Sequence, residues 1–154
     1  MLNQFLPPQI DNTYRGHKLA LWLFGLIVLM KVAMSVNSIF NGRVVASSAD
    51  GIPLDTFTPA GAQAVVSLFA AWGLGQLMIC LLCILVLVRY RAWIPFMFAL
   101  LLVEHLGRRL IFWVMPIVRT GSSPGFAINL VLLALMILGL VLSLWRRPLT
   151  AAVG

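Results

Sequence analysis

Residues 98–113 read FALLLVEHLGRRLIFW. Phe, Leu, Val, Ile, Ala and Trp make this a membrane span, yet it holds Glu104, His105, Arg108 and Arg109. A charged side chain at the centre of a bilayer costs about 2.5–3.5 kcal/mol on insertion scales. The span is affordable only if other parts of the chain solvate those groups, so the search for the fold becomes a search for their partners.

The surrounding composition sets the medium. Of 154 residues, 62% are hydrophobic and 10% are charged, with a mean hydropathy of +1.03. Soluble domains are about 45–50% apolar and about 25% charged, so the chain reads as an integral membrane protein. The formal charge of +7, eleven Lys/Arg against four Asp/Glu, would point to nucleic acid in a soluble domain. In a membrane protein it has a different origin, because basic flanks orient the spans. Nucleic acid is therefore not an expected partner.

Working outward from the charged stretch, three more apolar runs appear. The predicted fold is all-α, a bundle of four transmembrane helices over about 19–40, 60–88, 92–115 and 125–144. Loops 41–59 and 116–124 lie on the outer side. A polar segment 1–18 and a tail 148–154 lie on the inner side. The first apolar run is too long for a signal-peptide core, so it is expected to remain as a span. Thr58-Pro59 and Ser123-Pro124 read as N-cap followed by proline at the first helical position. The basic turn Arg89-Tyr90-Arg91 forces the second and third spans to run antiparallel side by side.

Orientation follows from counting basic residues. With both termini inside, the inner side holds Arg15, Lys18, Arg89, Arg91, Arg146 and Arg147, and the outer side holds Arg43 and Arg119. The excess predicts an N-in, C-in topology. Ser67, Ala71 and Gly75 recur every four residues, as do Gly139 and Ser143, the small-xxx-small spacing that lets helices approach closely.

Depth arithmetic then supplies the partners. Lys31 lies twelve residues from Leu19, Glu104 twelve from Ala92, and Gln76 twelve from Val88. At 1.5 Å per residue each sits ~18 Å from the inner boundary, so a Lys31–Glu104 pair with Gln76 completing its hydrogen bonds is expected. Ser35 and Ser38 share the face of Lys31, with Asn37 beside them. On the third span Glu104 and Arg108 face together, as do His105 and Arg109, and the four cover about 140° of arc. That width suits one wall of a polar cavity opening outward over an apolar inner half.

The alternative reading is a purely structural Lys31–Glu104–Arg108 network that fixes helix register, but intramembrane ionisable residues default to function. Lys31, Ser35, Gln76, Glu104, His105, Arg108 and Arg109 are therefore the candidate binding residues. The arginines and lysine suit an anionic or carbonyl-bearing head, with Glu104 and His105 orienting them and His105 hydrogen-bonded beside Glu104. No catalytic set or metal site is expected: the chain has no Walker loop or HExxH. No cofactor is expected either. Bis-His haem would need a second buried histidine, and His17 lies at the inner edge, which leaves only a five-coordinate haem on His105 open. Cys80-Leu-Leu-Cys83 resembles the CxxC of membrane thiol oxidoreductases of the disulfide-bond formation and vitamin K epoxide reductase families. Those enzymes need a second cysteine pair, and this chain has only two cysteines, so apolar filler is the expected role.

In its N-in, C-in layout, its long first outer loop 41–57 and its charged third span, the chain is similar to small four-span bacterial membrane proteins of the DoxX-like type. The likeness implies a four-helix bundle in a bacterial cytoplasmic (inner) membrane and carries no residue roles. The expected function is non-enzymatic binding of a small amphipathic molecule such as a quinone or lipid. The alternative is an accessory subunit that packs against a larger membrane complex or a second copy. Transport by four helices would require a homodimer.

Overall fold

The computed structural model describes residues 12, 14, 16–120 and 124–145. Among them the chain is helical throughout, without strands. Four long helices carry it: α1 (Lys18–Phe40), α2 (Pro59–Arg89), α3 (Ile94–Val114) and α4 (Pro124–Leu144). Three of these, α1, α2 and α4, are long and apolar enough to cross a membrane. The 21 residues of α3 reach ~31 Å, but Glu104, Arg108 and Arg109 interrupt its apolar run.

Local chemistry explains the ends. His17 caps α1, its Nδ1 accepting from the Leu19 amide at 3.2 Å. Thr58 caps α2, its Oγ1 accepting from the Gly61 amide at 3.2 Å, with Pro59 opening the helix. Ser123, the expected cap of α4, lies outside the described residues. Between α1 and α2 the expected irregular loop is largely wound. A helical turn Gly42–Val44 runs into a π-helical turn Val45–Ala49 and, after a break, a 3-10 turn Leu54–Thr56. The π-turn closes with the Asp50 amide donating to the Val45 carbonyl at 3.0 Å. Gly51 follows with a φ of 70°, a left-handed conformation that glycine adopts without a Cβ penalty.

The helices do not pack equally. α1 lies mainly against α2 and also against α4, while α3 leans mainly on α4. The tight turn brings α2 and α3 together at its own end, but their packing beyond it is thin. A short connection dictates proximity, not an interface.

One apolar core fills the end of the bundle that holds this turn, with Phe24, Ile27, Phe98, Leu101, Leu132 and Met136 buried. Phe24 and Phe98 meet edge to face, centroids 5.0 Å apart. Gly139 of α4 is needed there, because a Cβ would run into the Phe98 ring. At this end the His17 amide also donates to the Leu142 carbonyl at 3.2 Å, joining α1 to α4.

The small-residue stripe of α2 is placed differently from expectation. Ser67, Ala71 and Gly75 are exposed, and nothing lies within 4 Å of a Cβ built on Gly75. The close approach is made by Gly73, whose Cβ would lie 2.9 Å from both the Ser35 carbonyl oxygen and the Ser38 Cβ. The packed face of α2 is set by the bulky and polar residues Phe69, Gln76, Cys80 and Cys83, and Gly73 falls in line with them.

Candidate functional site: a charged cluster beneath two cavities

Lys31 of α1, Gln76 of α2 and Glu104 of α3 meet at mid-helix. Lys31 Nζ lies 2.9 Å from Glu104 Oε2 and donates to Gln76 Oε1 at 3.3 Å. Arg108, one turn further along α3, grips the same carboxylate, Nε 2.6 Å from Oε1 and Nη2 3.3 Å from Oε2. The Lys31 side chain is 4% exposed and that of Glu104 18%. Gln76 spends its amide nitrogen on Cys80 Sγ, 3.9 Å away, and the two cysteines are buried and free.

The charge does not cancel. One acidic side chain lies between two basic ones, so by formal count the cluster has one basic group in excess.

The remaining candidates part company here. The Ser35 hydroxyl donates to the Lys31 carbonyl at 2.7 Å, turned back on its own helix. Asn37 accepts from Asn41 at 2.9 Å at the end of α1. His105 does not hydrogen-bond beside Glu104 as expected: both oxygens of Glu104 are taken, and the next residue along a helix points 100° away. The imidazole is 3% exposed, and neither ring nitrogen has a partner among the described residues. Arg109 lies over the Phe126 ring, 5.4 Å from its centroid. Its Nη2 is buried without a hydrogen-bond partner, and no carboxylate among the described residues pairs with it.

Two cavities explain these directions. The smaller, about 180 Å³, is reached by Lys31, Ser35 and Gln76. The larger, about 340 Å³, is lined by His105, Arg109, Arg119 and the aromatic rings of Phe112, Trp113 and Phe126. Asp50, Trp72, Arg108 and Asn129 belong to both walls, so the cavities adjoin. Arg108 marks the divide, its guanidinium 4.9 Å from the Trp72 ring centroid, a cation–π contact that offsets part of its desolvation.

Both cavities lie toward the end of the bundle that carries the 41–58 and 115–120 connections. Those connections are tied together: the Thr120 amide donates to the Gly51 carbonyl at 2.8 Å. Asp50 sits beside that tie, and burial pushes its carboxyl above the ordinary carboxylate range against the pull of Arg119 and Arg108. Gly125 opens α4 against the same turn, where a Cβ would lie 2.7 Å from the Ala49 carbonyl oxygen.

Asp50, Trp72, Arg119, Phe126 and Asn129 were not among the sequence candidates. A signal existed for Trp72, which lies one turn from Gln76 on one face of α2. Asp50 had none, since a carboxylate beside Gly in a loop reads as turn chemistry.

A helical integral membrane protein with a partly buried cationic cavity is the class this arrangement defines. No protein-family model, curated protein or solved structure matches the chain.

Proposed function

We propose that the chain is a four-span, N-in, C-in protein of a bacterial cytoplasmic membrane that binds a small amphipathic molecule, such as a quinone or lipid, without transforming it. In this reading α3 is the fourth span, its charges sheltered by Lys31, Gln76 and the cavity. The observation that carries the proposal is the open space next to the charged cluster. A network that merely fixed helix register would be closed over by packing, whereas Arg108 faces two cavities, the larger of which is walled by Trp72, Phe112, Trp113 and Phe126. Pockets of this kind, mostly apolar with a few convergent polar groups, are the usual form of a small-molecule site. The basic residues Lys18, Arg89 and Arg91 lie at the opposite end from Arg43 and Arg119, which supports outward opening of the cavities by the positive-inside rule.

Native mass spectrometry of the protein released from mild detergent tests the proposal. The wild type is expected to retain a co-purifying molecule that Glu104→Gln and Arg108→Ala lose. Equal retention in all three overturns it.

One observation favours the second reading, an accessory subunit or homo-oligomer. Ser67, Ala71 and Gly75 form an exposed small-residue stripe on α2, a surface suited to close helix contact in lipid. A stoichiometric partner in a mild-detergent pull-down, lost in Gly75→Leu, supports this reading. A monomer overturns it.

A further inference from the structure

The larger cavity is richer in donors and cations than in acceptors, which are the Asp50 carboxyl and the Asn129 amide oxygen. Arg108, Arg109 and Arg119 line it, together with His105. Its carboxylate is Asp50, and both oxygens of nearby Glu104 are already committed to Lys31 and Arg108. Two polar groups in the wall stand without partners among the described residues: Nη2 of Arg109, and both nitrogens of His105, whose residue is 3% exposed. Leaving such groups buried and unsatisfied is costly, the more so where charge is involved. An occupant that accepts hydrogen bonds and carries negative charge would remove that cost. A neutral carbonyl would satisfy one donor and leave the charge.

We propose that the molecule held in the larger cavity has an oxyanion head, a carboxylate or phosphate, bound by Arg109 and His105, with its apolar chain against Phe112, Trp113 and Phe126. This rests on the reading that the cavity holds an amphipathic molecule, and it specifies the chemistry of the head. Arg109 supplies the charge. Its guanidinium is already oriented by the Phe126 ring, so little rotamer freedom remains to be lost on binding. His105 donates one N–H from the cavity wall. Two sources share this chemistry: a free fatty acid and an anionic phospholipid.

The test uses the full chain in mild detergent, with adducts counted by native mass spectrometry. The probes are oleate, methyl oleate, dioleoylphosphatidylglycerol and dioleoylphosphatidylcholine, with inorganic phosphate as competitor. Oleate and methyl oleate share a chain and differ in head charge. Expected is at least about tenfold preference for oleate over methyl oleate, or for phosphatidylglycerol over phosphatidylcholine, the size of one charge-assisted hydrogen bond. Which pair shows the preference identifies the source. Displacement of either by inorganic phosphate shows that the head alone is recognised.

The preference is expected to vanish in Arg109→Gln and to fall in His105→Phe. It is expected to persist in Arg43→Gln, which removes the same charge from an exposed loop pair with Asp55. Should a cavity variant fail to fold, the wild-type comparison of charged and neutral heads still decides. Equal binding of oleate and methyl oleate, and of the two phospholipids, overturns the oxyanion head and leaves the binding reading intact. No adduct with any probe overturns the head assignment too, and retention of a co-purified molecule then judges the wider reading separately.

Discussion

Glu104 is the residue on which the buried charges depend, because among the described residues it is the carboxylate ion-paired with both Lys31 and Arg108. Removing one partner of a buried pair typically costs about 3–5 kcal/mol, since the other is left uncompensated. Glu104→Leu strands two cations and is expected to fall at the upper end. Lys31→Met leaves Glu104 held by Arg108 and is expected to cost less. In equilibrium unfolding the double variant should be less destabilised than the sum of the two singles, since the second change removes a charge the first has stranded. Strict additivity would show that Lys31 and Glu104 are not coupled. Asp50 bears on pH. Its carboxyl is raised by burial, so the folded state favours the protonated form. That contribution is whole below the ordinary carboxylate pKa of about 3.9 and is lost as pH rises through the raised value. The melting temperature is expected to fall over that window and to be flatter in Asp50→Asn. An unchanged slope in the variant refutes the assignment.

Packing of α1 against α2 depends on one glycine rather than on the stripe that the spacing singled out. Gly73→Ala would push a methyl group to 2.9 Å from the Ser35 carbonyl oxygen, and backbone cannot yield as a side-chain tip does. Overpacking of this kind costs about 1–3 kcal/mol. Gly75→Ala, two residues on, meets open space and is expected to be neutral or slightly stabilising, since alanine favours helix by about 1 kcal/mol over glycine. Thermal unfolding of the pair in detergent checks the contrast, and equal effects would place the interface elsewhere. The comparison also shows what sequence reveals about an element. Its existence and ends were legible, as Thr58-Pro59 illustrates, because capping is chemistry within a few residues. Which face of α2 packs was not legible. In an apolar helix almost every face is hydrophobic, and four-residue spacing marks Gly75, with Ser67 and Ala71, while Gly73 stands between Phe69 and Leu77 and carries no such signal.

At the scale of the molecule, depth carried more information than pattern. Lys31, Gln76 and Glu104 lie on three different helices, and equal distances from one boundary sufficed to bring them together. His105 eluded the same argument, since depth specifies height and not azimuth, and its direction depends on how α3 leans on α4. The cavity walls were harder still: Asp50, Arg119 and Phe126 come from three segments that no local pattern connects. For the proposed topology, a fluorescent protein fused after Trp145 is expected to fold on the cytoplasmic side. Alkaline phosphatase joined within 41–58 is expected to be active outside. Reversal of the two signals would invert the topology, and matching signals would change the number of spans.

The π-helical turn Val45–Ala49 holds one residue more than an α-turn of the same reach. A single deletion inside it, of Ser48 for example, would let the backbone relax into an ordinary α-turn with little loss of hydrogen bonding. Whatever follows would then arrive close to its present phase, because the residue that a π-turn holds in excess is the one the α-turn sheds. Asp50 would keep its place in the wall, Gly51 would still face Thr120, and the threshold of the larger chamber would stay fastened. The same deletion in an ordinary α-turn would rotate everything beyond it by about 100°, so the π-turn is where this connection best tolerates the loss of a residue.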